Sequence, residues 1–141
     1  MKITDVEAIV LRQPVLDHGI ADGSQDDLVI KVHTDEGIVG IGEVDSAPEA
    51  VHALVTAPGS HAIANSFHSL LVGEDPTDVE RAMLKIRQRG AFKPHGSAVS
   101  VIEHALWDLA GKAAGVAVHK LLGGKVRGRG RVVRPGAPRR R

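Results

Sequence analysis

Apolar residues follow two different periods along this chain, and the period changes near residue 46. Residues 2–12 hold Ile3, Val6, Ala8, Ile9, Val10 and Leu11, mostly aliphatic or β-branched, and predict a strand that ends before Pro14. Residues 14–26 contain Pro14, Gly19, Gly23, Asp17, Asp22 and Asp26 without periodicity. They predict a loop long enough to suggest a function of its own. Alternation returns at 27–34, with Leu28, Ile30 and Val32 on one face and Lys31 and His33 on the other. Asp35-Glu36-Gly37 then separates this run from Ile38–Val44, which predicts a hairpin with Gly37 in the left-handed conformation. Gly40 and Gly42 share one face of the second hairpin strand, where glycine weakens a strand unless a close neighbour needs the space.

Beyond residue 46 the period is helical. Ser46-Ala47-Pro48-Glu49 has a capping-box pattern with Pro in the first turn, and predicts a helix over about 47–56 that stops near Pro58-Gly59. Ser60 is expected to cap a second helix with Ile63, Phe67, Leu70 and Leu71 on one stripe, ended by Gly73. Asp75-Pro76-Thr77-Asp78 opens a third, with Val79, Met83 and Ile86 in register and Gly90 at its end. The fourth runs from about Ser97 to Ala114, stops at Gly115, and places Ile102, Leu106, Leu109 and Ala113 on one stripe. A short turn, Val118 to Leu122, precedes Gly123-Gly124, and later residues show no period except at Val132-Val133. A run of strands followed by a run of helices predicts an α+β fold: a three-stranded antiparallel β-meander and a bundle of about four helices.

Composition narrows the possibilities. The chain has 141 residues, and a full α/β barrel needs about 250. It has no cysteine, which excludes disulfides and thiolate metal sites. Phe67, Phe92 and Trp107 are its only aromatic residues, too few for a base-stacking platform. Net charge is +1, yet residues 1–124 hold 10 Lys and Arg against 17 Asp and Glu, and residues 125–141 hold eight Lys and Arg with no acid. A nucleic-acid role for this basic tail is disfavoured by the lack of aromatic residues, and solvated disorder is the simpler expectation. The polar, acidic start carries no signal-peptide pattern and no stretch is apolar enough to span a membrane, so a cytoplasmic location is expected.

Candidate chemistry is sparse. Eight histidines are scattered, the pair His61/His68 is seven apart, and no HExxH occurs, so surface or packing roles are expected and no metal site is assigned. Gly37-x-x-Gly40-x-Gly42 lies inside a hairpin and lacks the strand–turn–helix context of a phosphate loop. Glu43 and Asp45 share a face at the strand end, as a solvated terminus or as the rim of a site. Glu103 and Asp108 flank Trp107 and are expected to take the polar helix face or cap a neighbouring loop, with an interdomain salt bridge as the other reading.

Residues 98–123 strongly resemble the first signature of the mandelate racemase/muconate lactonizing enzyme family of the enolase superfamily. The matching positions are Ala98, Ser100, Glu103, Ala105-Leu106, Asp108, Gly111-Lys112, Ala117-Val118 and Leu121-Leu122-Gly123. Val101 stands where a small residue is usual, and Ala117 where Pro is commonest. Met1-Lys2-Ile3, Thr34 to Glu43 and Leu71 to Pro76 are similar to the family's first strand, hairpin and helix junction, so the resemblance covers about residues 1–127.

The resemblance implies an enolase-like N-terminal capping domain, here residues 1–124. In the family this domain closes a (β/α)7β barrel that supplies three acidic Mg2+ ligands and the acid/base groups. The reaction there begins with loss of the proton α to a carboxylate, in racemases, cycloisomerases and acid-sugar dehydratases. The chain has no Lys-x-Lys and no barrel, so no catalytic residue is carried over and no Mg2+ is expected to bind to it. Residues 125–141 stand where the first barrel strand would begin, and read as a disordered basic tail or the cut-short or out-of-frame start of the barrel. The implied partners are a barrel domain and a small carboxylate substrate, contacted by the loop 14–26 through His18, Ile20 and Asp22, and by Val44-Asp45-Ser46. The chain alone is expected to be inactive, and apolar helix stripes freed of a barrel suggest a homo-oligomer. The alternatives are a standalone binding module acting through the cap surface or the basic tail, and a fragment without a function of its own.

Overall fold

A computed structural model describes residues 1–19, 23–45, 47–90 and 96–130. These residues form strands β1 (Ile3–Arg12), β2 (Asp26–Thr34) and β3 (Val39–Val44), then helices α1 (Pro48–Thr56), α2 (Phe67–Leu71), α3 (Val79–Arg89), α4 (Gly96–Ala114) and α5 (Val118–Leu121). The sheet is the expected antiparallel meander, in the order β1-β2-β3. Ala8 pairs with Ile30, and Ile30 with Gly42, across the three strands. Leu28, Ile30 and Val32 are fully buried beneath the helices, as their alternation requires. Gly37 closes the hairpin at φ 79°, and its N–H donates to the Thr34 carbonyl at 3.1 Å.

The central contact is between β3 and α4. A Cβ at Gly40 would collide with the Ala105 carbonyl oxygen and stand 2.8 Å from Leu109 Cβ. A Cβ at Gly42 would collide with the Val101 carbonyl oxygen. The glycines therefore let the helix backbone lie directly on the strand. Ala98, Val101, Ile102, Ala105, Leu106 and Leu109 form the buried stripe of α4. Ala113 is exposed, contrary to the expected stripe, and Gly111 is buried in its place. At Gly111 the chain turns back, its carbonyl accepting the Val116 N–H at 2.9 Å, and Val118 Cγ2 would lie 3.2 Å from an added Cβ.

β3 is an edge strand, and α4 also closes that edge. Asp108 Oδ2 accepts the Ile41 N–H at 2.8 Å, while Lys112 Nζ donates to the Val39 carbonyl at 2.8 Å and to Asp108 Oδ2 at 2.6 Å. Unpaired edge groups otherwise invite pairing with another chain. Asp108 thus serves the edge of a strand, where the sequence suggested a neighbouring loop.

One helix start differs from expectation. Ser60 does not open α2. Instead Asn65 donates through Nδ2 to the His61 and Ala62 carbonyls, and its own N–H donates to the Arg89 carbonyl at 3.1 Å. These bonds compete with helix formation over residues 60–66. Ile63 is accordingly 65% exposed, and Ser66 caps α2 by accepting the Ser69 N–H at 3.2 Å. At α1 the N-cap is Ala47, at φ 47°, and Ser46 lies outside the described residues. Arg12 Nη1 donates to Glu49 Oε1 at 3.0 Å in the first turn of α1.

Elsewhere the pattern holds. Val79, Met83 and Ile86 are buried on α3, and Phe67 and Leu71 beneath α2. Lys85 Nζ donates to the Leu70 carbonyl and to Glu74 Oε1, both at 2.7 Å, joining α3 to the end of α2. This ammonium holds the Glu74 carboxyl below the usual range, so its stabilisation is present above that range and is lost as pH falls through the lowered pKa. No helix among the described residues is long and apolar enough to cross a membrane. Val132-Val133 and Arg139-Arg140-Arg141 lie outside the described residues.

The glycine contact yields a stability prediction. Gly42→Ala should lower the urea midpoint at unchanged slope, by an equivalent of ~2–3 kcal/mol, because a carbonyl must be displaced. Gly96→Ala, where a Cβ meets nothing within 4 Å, should be neutral or stabilising by up to ~1 kcal/mol. Equal midpoints for the two variants would contradict the packing described.

Candidate functional site at the open end of the sheet

Antiparallel order brings three chain ends together: the end of β1, the start of β2 and the end of β3. The long loop after β1 and the turn after β3 therefore emerge side by side. Their backbones touch at Gly23, where an added Cβ would collide with the Asp45 carbonyl oxygen and stand 2.9 Å from Asp45 Cβ. Arg12 fastens the same corner, with Nη2 3.2 Å from Asp26 Oδ2 and Nη1 3.0 Å from Glu49 Oε1. It links the end of β1, the start of β2 and the first turn of α1.

An open groove of ≈ 570 Å³ runs between the two ends of the loop, lined by Leu11, Arg12, Gln13, Pro14 and the segment Gly23–Asp27. Its charged lining is Arg12, Asp26 and Asp27. Beside it Glu43 meets Asp27 and Asp45. Partial desolvation, a hydrogen bond with Asp27 and the charges of Asp27 and Asp45 raise the Glu43 carboxyl above the ordinary glutamate value, against a smaller opposing effect of His104. This corner offers carboxylates, the Arg12 guanidinium and backbone groups to a small molecule. Among the described residues no group of three His, Cys, Asp or Glu is arranged to hold a metal ion. The acids of this corner do not fit a Mg2+ site, and no step through a metal is derived from them.

The positions singled out from sequence divide as follows. His18 is exposed in the first half of the loop, Val44 is half-buried at the end of β3, and Asp45 is exposed against Gly23. Ile20, Asp22 and Ser46 lie outside the described residues. Sequence reasoning passed over Arg12, Gln25 and Asp27, whose roles depend on strand register. The adjacent Asp26-Asp27 pair and the second loop glycine were the available signals. Of the histidines, His33 stands 3.1 Å from Glu7 Oε2 and His68 2.9 Å from Asp5 Oδ1, both in surface pairs.

Comparison with known proteins gives consistent matches. The model of the mandelate racemase / muconate lactonizing enzyme N-terminal domain matches residues 3–123. A D-galactonate dehydratase from Xanthomonas axonopodis pv. citri is 38% identical over 107 residues, covering 72% of this chain and 26% of the dehydratase. Among solved structures, a predicted mandelate racemase from Rhodobacter sphaeroides superposes with TM-score 0.73 at 30% identity, covering 86% of this chain and 32% of that one. The muconate lactonizing enzyme from Pseudomonas putida superposes with TM-score 0.71 at 29% identity, covering 90% and 33%. The chain thus spans about a quarter to a third of the length of these relatives.

The carboxyl cluster predicts a pH effect. Because the folded state holds the Glu43 proton more tightly than the unfolded chain, stability should fall as pH rises from the ordinary glutamate value through the raised one. Asp27→Asn should bring the Glu43 titration, followed by carboxyl carbon NMR, back toward the ordinary value and flatten this slope. A Glu43 that titrates at or below the ordinary value in the unaltered protein would contradict the cluster.

Proposed function

Because the chain belongs to the mandelate racemase/muconate lactonizing enzyme family, of whose enzymes it holds the N-terminal domain, we propose that it forms the substrate-capping part of an enzyme acting on a small carboxylate. The carrying observation is the contact of the post-β1 loop with the post-β3 turn at Gly23 and Asp45, within the segment the family model matches. On this reading the domain extends to about Gly124, and the exposed loop bearing His18, Ile20 and Asp22 faces the substrate together with Val44, Asp45 and Ser46.

The reaction we propose for the whole enzyme begins with removal of the proton α to the carboxylate; a Mg2+ ion held outside the described residues would supply charge stabilisation there. The metal ligands and acid/base groups belong to a barrel of the kind these relatives carry, and not to the described residues. The D-galactonate dehydratase relatives favour a sugar acid as substrate and dehydration as outcome, over racemisation or cycloisomerisation. This chain's share of the work is to exclude water and select the substrate, which strengthens electrostatic stabilisation inside a closed site. The exposed Leu122, and Val126 at 96% exposure, provide an apolar surface for a barrel or a second copy. A cytoplasmic setting fits a cysteine-free chain.

The test has two arms. Residues 1–124 are substituted for the matching segment of the Xanthomonas dehydratase, and the chimaera, once shown to fold cooperatively, is assayed on D-galactonate. Measurable dehydration is expected from the chimaera, and neither turnover nor micromolar Mg2+ binding by calorimetry from the 141-residue chain alone. A folded chimaera without activity, or a stoichiometric micromolar Mg2+ site on the chain, would overturn the reading. Salt-sensitive nucleic-acid binding lost on deleting residues 125–141 would favour the binding-module alternative instead.

A further inference from the structure

We propose that Gln25 is a positioning residue for the substrate-facing loop, its side-chain amide clasping the peptide of Asp17 so that the first half of the loop is formed before substrate arrives. The consequence for substrate rests on the capping function proposed above, while the clasp itself does not.

Gln25 immediately precedes β2. Its carbonyl accepts the Gln13 N–H at 2.9 Å, which extends the β1–β2 ladder by one pair. Its side chain turns into the loop. There Nε2 donates to the Asp17 carbonyl at 2.9 Å and Oε1 accepts the Asp17 N–H at 2.6 Å. One amide therefore satisfies both backbone groups of one residue, as a neighbouring strand would. The amide orientation is settled by its partners, because a peptide N–H only donates and a peptide oxygen only accepts. Asp17 in turn accepts the Gly19 N–H through Oδ1 at 2.8 Å, an Asx-type turn that shapes the backbone just past His18.

The loop is thus closed twice, at Gln13–Gln25 and again at Asp17–Gln25. Two residues from the clasp, Gly23 presses on Asp45 with no room for a Cβ. Gln25 is consequently the node that sets where the His18 arm stands relative to the β3–α1 turn. Each bond is modest in this exposed setting. Their combined effect is on the number of conformations the loop must give up on binding, since preorganisation strengthens binding by lowering that cost. The clasp should therefore act on KM and leave kcat nearly unchanged.

Amide hydrogen exchange on the 141-residue chain tests the clasp directly. Gln25→Ala should speed exchange at Asp17 about fivefold or more, with amides of β2 and α4 unchanged. Gln25→Glu at neutral pH keeps an acceptor for the Asp17 N–H but sets a second carboxylate oxygen against the Asp17 carbonyl, so Asp17 protection should fall between that of the unaltered protein and that of the alanine variant. At acid pH a protonated carboxyl offers one donor and one acceptor, and protection should return. In the dehydratase chimaera, Gln25→Ala should raise KM roughly three- to tenfold at nearly constant kcat. Unchanged Asp17 protection in Gln25→Ala would overturn the clasp, and a fall in kcat at constant KM would overturn its positioning role. An inactive chimaera with Gln25 in place counts against the capping function alone, and the exchange experiment then decides the clasp by itself.

Discussion

A helix backbone lying directly on a strand is the contact from which the rest of this molecule is built. Gly40 and Gly42 carry no side chain, so α4 rests its Val101 and Ala105 carbonyls where two Cβ atoms would otherwise stand. Close approach gives dense dispersion contact. It also brings the helix within reach of the strand's open edge. Asp108 and Lys112, one turn apart, can then satisfy the Ile41 N–H and the Val39 carbonyl. The same residues that dock the helix thereby remove the hazard of an unpaired edge. With larger residues at 40 and 42, α4 would stand farther off and these two bonds would be lost together.

Docking α4 fixes β3, and β3 fixes the corner where the loops meet. The meander places the end of β1, the start of β2 and the end of β3 at one end of the sheet. Arg12 bridges Asp26 and Glu49 across that corner, and Gly23 packs against Asp45. The scaffold is apolar and closely packed, while the corner is polar and held by exposed hydrogen bonds. That division suits a part that must be positioned firmly yet yield to a ligand.

Sequence pattern made the scaffold legible and the corner only partly so. Alternation at Leu28, Ile30 and Val32, and the paired glycines of β3, announced both the sheet and its close neighbour. The long apolar stripe of α4 and its 26-residue signature announced the family. Local polar competition was harder to see. Asn65 turning onto the preceding backbone moved the start of α2, and Glu49 is engaged by Arg12 although its helix begins where the pattern placed it. Both depend on partners distant in space or on a side chain folding back, which periodicity does not encode. The loop's chemistry was hidden for the same reason: Gln25 looks like an ordinary polar residue until register sets it opposite Gln13 and its side chain reaches Asp17. Loop 14–26 was marked by its length and composition, yet of the three residues selected within it only His18 falls among those described.

The account stands on α4 being seated against β3, and the Ile41 amide reports on that contact. An edge-strand N–H open to water exchanges rapidly, whereas one held by Asp108 beneath a docked helix opens only when the helix leaves. Native-state hydrogen exchange should find Ile41 protected to a degree comparable with the buried strand residue Ile30. Exchange of Ile41 at the rate of the exposed amides of residues 125–130 would show that the helix is not seated there, and would contradict the account.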